Sequence, residues 1–130
     1  MRSRRSLARR TTTVLQSFVR GTGWERRPIS SHLPLDVDLV CPLGIAHGAG
    51  REVADRLLVL PIIAYGYTGH VMDFPGTINT DYDHFIHQVL DGTKSLAYHG
   101  FKKIILLNGK GSNWPNLDRA ARRTNLETDA

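Results

Sequence analysis

From Pro28 onward the apolar positions fall into blocks whose spacing alternates between strand and helix. Residues 57–64 (LLVLPIIA) form an unbroken apolar run of strand length. Such a run predicts a strand buried on both faces of a parallel sheet. Pro61 within it predicts an edge position or a bulge, because proline gives no ladder hydrogen bond. After a glycine-containing loop (65–80, YGYTGHVMDFPGTINT), apolar or amphipathic residues at 82, 86, 89, 90, 93, 96 and 97 keep helical spacing. Thr80 and Asp83 make a capping box at its start. Gly100 suits its C-terminal cap, with Phe101 apolar just beyond. Residues 103–107 predict the next strand, and Asn113 caps a last helix with Pro115 in its first turn. Residues 38–56 predict a helix weakened by Pro42, Gly44, Gly48 and Gly50. Strand, helix, strand, helix in this order implies right-handed crossovers and a parallel sheet.

Charge divides the chain at about the same place. Residues 1–27 hold eight arginines and one acid, Glu25. Taking these from the 17 basic and 12 acidic residues of the whole chain leaves nine against eleven, so the rest is slightly acidic. The net charge of +5 therefore belongs to the N-terminal stretch. Without a basic patch or stacking aromatics in the folded part, nucleic acid is not an expected partner. No apolar run approaches the ~20 residues needed to span a bilayer, so no membrane role is expected. Residues 1–27 read as a disordered basic tail; their Arg- and Ser/Thr-rich composition also faintly resembles a targeting segment on an otherwise cytoplasmic protein. The domain is expected over 28–130. Cys41 is the single cysteine, which excludes an internal disulfide, and in LVCPLG it reads as a small buried residue.

Candidate chemistry sits in three places. In HLPLDVD (32–38), His32, Asp36 and Asp38 offer nitrogen and oxygen donors of the kind divalent cations need, although taken alone the stretch reads first as a surface loop with Asp36 and Asp38 solvated. His70 lies in the loop before FPGTI. The turn NGKGSN (108–113) follows the last strand, where α/β proteins place ligands, and presents Lys110 between two glycines. His84 and His87, three apart on the predicted helix, read as a solvated face, and His47 and His99 as structural. Trp114 reads as a packing anchor at the helix start, Asn108 as a residue shaping the turn.

Taken together, HLPLDVD, YGYTGHVMDFPGTI and HGFKKIILLNGKGSN resemble, in order and spacing, the creatininase family of metal-dependent amidohydrolases. The resemblance covers about residues 32–130. It implies an α/β fold, a three-layer-type sandwich with a mostly parallel sheet, of which about the first half is present. It also implies hexamer-forming relatives and a pair of zinc or manganese ions that activate water to cleave a C–N bond in a small cyclic amide such as creatinine.

By the same resemblance Asp38 is the bridging metal ligand. The family pattern E-x-H-G-x-H-L-P-L-x-x-D puts Arg27 at the place of the Glu and Ile29 at that of the first ligand His. N-G-H-x-x-N puts Lys110 at a ligand His, with Ser112 where some members use Glu. Gly69, before His70, stands where an acid is common. His32, His70, Asn108 and Asn113 remain as residues of the active-site loops. With most ligands replaced, this chain is expected to be weak or inactive alone, or to pair with itself or a full-length homologue. Lys110 reads first as an ammonium solvated on its loop, with pairing to Asp38 in place of a lost cation as the alternative and weak residual metal binding as a third.

Overall fold

The computed structural model describes residues 12–17, 37–73 and 77–130, with side chains from Asp38 onward. Strands and helices alternate: β1 (Thr12–Ser17), α1 (Val37–Glu52), β2 (Leu57–Val59), α2 (Tyr82–Tyr98), β3 (Ile104–Asn108) and α3 (Trp114–Glu127). The strands are parallel and ordered β2-β1-β3. The middle strand thus comes from the segment expected to be a disordered tail, ahead of the domain start expected at residue 28. This is a correction. Its signal was the run TTTV (11–14), whose β-branched side chains favour extended backbone; the surrounding arginines masked it.

The registers show how the layers form. Leu58 and Ile104 both stand opposite Thr13, and Val59 and Ile105 opposite Val14. Because side chains alternate along a strand, Ile104 and Leu106 share one face and Val59 and Ile105 the other. Leu106 packs on the core of Phe85, Ile86 and Val89 from α2 with Leu117 and Ala120 from α3. On the opposite face, Val59 Cγ2 lies 3.3 Å from where a β-carbon on Gly50 of α1 would sit. So α2 and α3 cover one face and α1 the other. The two crossovers run in opposite directions across the sheet, and a common hand then requires opposite faces.

β2 is shorter than expected and is not buried on both faces. It lies at an edge, as Pro61 implied, and Leu58 is 43% exposed. Cys41 is exposed rather than buried. The inward side of α1 runs through Pro42 and Ala46, and position 41 falls outside it. α2 starts one residue later than the capping box implied. Asp81 is the N-cap, its carboxylate accepting from the N–H groups of Asp83 (2.9 Å) and His84 (3.3 Å). Thr80 instead closes the preceding loop, its N–H donating to the Gly66 carbonyl at 2.9 Å.

The other end of α2 follows expectation. Gly100 takes φ 93°, its N–H donates to Ala97 O and that of Phe101 to Leu96 O. This is the double hydrogen bond of a left-handed helix stop. α2 and α3 are joined by buried Thr93 and Thr124, whose hydroxyl oxygens lie 2.6 Å apart, and by Asn116 Nδ2 donating to Tyr82 O at 3.1 Å. The second bond ties the N-termini of both helices together at the carboxyl edge of the sheet.

Candidate functional site

In a parallel sheet every strand ends, and every following helix begins, at the same edge. That edge gathers the N-terminus of α1, loop residues 60–73 and 77–81, and the turn after β3. Asn108, the last residue of β3, shapes the turn as expected. Its Nδ2 donates to Lys110 O at 2.7 Å and its Oδ1 accepts from Lys110 N–H at 3.1 Å. Lys110 O also accepts from Asn113 N–H at 3.1 Å. With its backbone held at both N–H and carbonyl, Lys110 projects from a defined place.

Its ammonium reaches Asp38, with Nζ 3.8 Å from Oδ2 and side chains only 14% and 22% exposed. Asp38 lies in the first turn of α1, where a carboxylate also faces the positive end of the helix dipole. Of the sequence readings of Lys110, solvated or paired with Asp38, the structure shows the pair.

Asn113 departs from expectation. It precedes α3 without a side-chain cap bond, and it is fully buried with neither amide atom partnered. Ser112 Oγ and Asn116 Oδ1 are likewise buried and unpartnered. Trp114 is no packing anchor: it is 65% exposed, at the rim of this turn. Sequence reasoning missed Asn116, whose only signal was a polar residue on the inward stripe of α3.

In the middle loop Asn79 Oδ1 accepts from Thr68 N–H at 2.6 Å, and Thr77 Oγ1 donates to Val71 O at 3.2 Å. His70 is exposed, its ring 6.5 Å from that of Tyr67. His84 and His87 are exposed on α2, as expected, and His87 Nδ1 contacts Asp83 O at 2.8 Å. His47 and His99, expected to be structural, are exposed. Arg27, Ile29 and His32 lie outside the described residues.

The donors do not fit the metal pair that the resemblance implies. Among the described residues no group of three His, Cys, Asp or Glu side chains lies together to hold a metal ion. Asp38 is already neutralised by Lys110. At about 4 Å and an effective dielectric of about 20, a dication beside an ammonium meets about 8 kcal/mol of repulsion, twice the unit-charge value. The place of the missing acid at position 69 is also filled. A β-carbon on Gly69 would come 3.2 Å from Cε2 and Oη of Tyr67. That ring is itself held edge-on against Tyr82, centroids 5.4 Å apart.

Comparison with known proteins agrees with the fold. The creatininase family model, described as creatinine amidohydrolase, matches residues 30–130. The chain is 33% identical over 89 residues to creatinine amidohydrolase of Pseudomonas putida, covering 63% of this chain and 33% of that protein. It is also 33% identical over 107 residues to the mycofactocin precursor peptide peptidase of Mycobacterium ulcerans (strain Agy99), covering 74% and 41%. The chain thus spans less than half the length of these curated relatives. A crystal structure of creatinine amidohydrolase (creatininase) superposes with a TM-score of 0.72 at 25% identity, covering 95% of this chain and 48% of that one. Solved creatininases described as Mn and as Zn–Zn type share the fold at 23% identity, with a TM-score of 0.69 each. A family match over nearly all the chain beyond its arginine-rich start, on a fold that solved creatininases share, places the chain in the creatininase family.

Proposed function

We propose that this chain carries a creatininase-type amidohydrolase scaffold whose substrate is a small cyclic amide such as creatinine, opened by water at its C–N bond. The observation that carries the reading is the family match over residues 30–130. Supporting it, Asp38, Asn108, Lys110, Ser112 and Asn113 fall on the carboxyl edge of a parallel sheet, where such folds bind ligands. The described donors do not fit the zinc or manganese implied by the family. No described helix is long and apolar enough to cross a membrane, and a cytoplasmic location belongs to the same proposal.

The Lys110–Asp38 pair favours a second reading, a non-catalytic chain that associates with itself or with a full-length homologue. Creatine formation from creatinine separates the two, measured with the purified chain alone, with added zinc or manganese, and mixed with a full-length creatininase. Turnover by the chain alone supports the first reading. Changed turnover or co-elution only in the mixture supports the second, and no turnover under any condition overturns the first.

A further inference from the structure

We infer that the Lys110 ammonium takes the place of a metal cation at the carboxyl edge, so that Asp38 is neutralised from within the chain and the site binds no zinc or manganese. The inference rests on reading this edge as the family's site, and it adds that the charge balance there is internal. Among the ion pairs of the described residues, this one is set apart. Arg56–Asp55, Lys102–Asp129 and Arg122–Asp118 have at least one partner more than two-thirds exposed. Lys94–Glu127 and Arg123–Glu127 lie on the outer surface of α2 and α3, with every side chain at least 33% exposed. Lys110 and Asp38 are the most sheltered, at 14% and 22%, and they join the turn after β3 to the first turn of α1.

Sheltered charges are costly unless paired, so removing one partner strands the other. The turn supports the pair rather than leaving it to chance, because Asn108 holds Lys110 from both backbone sides. A dication entering here would have to displace an ammonium whose stem is covered and whose backbone cannot retreat. It would then find Asp38 outside any group of three or more His, Cys, Asp or Glu side chains among the described residues. Solved relatives described as Mn and Zn–Zn types cover the same part of the fold, so the contrast concerns this chain's side chains and not its architecture.

The test uses the full chain and four variants: Lys110→Met, Asp38→Asn, the double variant, and Lys110→Arg. Bound metal is measured by elemental analysis after incubation with zinc or manganese and dialysis, and Tm is measured with metal and with EDTA. The expected unaltered protein holds no stoichiometric metal and melts at the same temperature in all three conditions. Each single variant at 110 or 38 that loses charge melts about 4 °C or more lower, the shift of a ~1 kcal/mol loss in a chain of this size. The double variant regains most of that loss, and Lys110→Arg stays near the parent. Near one or two equivalents of metal on the unaltered protein, with Tm raised by it, overturns the inference, and so do losses that simply add in the double variant. If Lys110→Met fails to fold, Asp38→Asn, Lys110→Arg and the metal content of the parent still decide. Creatine formation is scored separately: coupling without turnover removes only the amidohydrolase reading, and turnover with bound metal removes only this one.

Discussion

Thr93 and Thr124 hold α2 against α3, and replacing Thr124 by valine and by alanine tests how. The two side chains are almost wholly buried, at 1% and 4% exposure. Thr93 Oγ1 lies 3.0 Å from Leu90 O, Thr124 Oγ1 lies 2.9 Å from Ala120 O, and the two hydroxyl oxygens are 2.6 Å apart. These are three contacts with two hydrogens to serve them, so at most two are hydrogen bonds at once. One hydroxyl donates across the interface and the other donates to its own helix.

Thr124→Ala removes one hydrogen bond, about 1 kcal/mol, and one buried methyl, about 0.8 kcal/mol. Thr93 keeps a partner in Leu90 O, so no group is stranded and a loss of about 2 kcal/mol is expected. Thr124→Val keeps the volume but puts a methyl where an oxygen now stands 2.6 Å from Thr93 Oγ1. Carbon contacts prefer about 3.5–4.0 Å. The helices must part by roughly 1 Å, which the shared core with Leu106 resists, and overpacking costs about 1–3 kcal/mol. Added to the lost hydrogen bond, this gives about 2–4 kcal/mol. Valine is therefore expected to be worse than alanine, although it buries more apolar surface. Urea midpoints at constant m-value measure both. A valine variant as stable as the parent, or more stable than the alanine variant, refutes the reasoning and shows that the hydroxyls are not bonded across the interface.

Two further outcomes follow from single sites. The N–H groups of His84 first, and of Asp83, hold the Asp81 carboxyl below its ordinary value of 3.8. A depressed carboxyl stabilises the fold above its unfolded value, and that contribution fades as pH falls through the lower folded value. The gap in helix content between the parent and Asp81→Ala should be full above about pH 4 and close in more strongly acid solution; a gap independent of pH counts against the cap. Gly69→Asp, which returns an acid to the middle loop, must push the Tyr67 ring aside and should lose about 1–3 kcal/mol. Tyr67→Leu should recover part of that loss, and urea midpoints showing Gly69→Asp more stable than the parent would mean that Tyr67 moves freely.

Local chemistry was readable wherever one residue settles one conformation. Gly100 alone predicted the left-handed stop of α2, because only glycine enters that region without strain. Pro61 marked an edge strand, and Asn108 a locked turn. The Lys110–Asp38 pair was open in the sequence only as an alternative to a solvated lysine, and the structure chose between them. What escaped was settled by neighbours. Asn113 has the chemistry of a cap, yet its side chain is fully buried and makes no cap bond. Cys41 lies in apolar surroundings in sequence and Trp114 is itself a large apolar residue, but both are exposed. β1 was hidden because strand propensity is weak next to a charge run, while pairing with two neighbours is what stabilises a strand.

By itself, then, the order of residues determined the alternation of helix and strand from α1 onward, the C-terminal stop of α2 and the replacement of ligand-type side chains by Lys110 and Gly69. These depend on backbone preferences and residue chemistry, which act within a few positions. Only the tertiary structure decided that a strand from the arginine-rich segment lies at the centre of the sheet. Only it decided that Lys110 meets Asp38 across 72 positions, and that Tyr67 fills the space beside Gly69. Contacts of that range arise when layers close on one another, and distance along the chain carries no record of them.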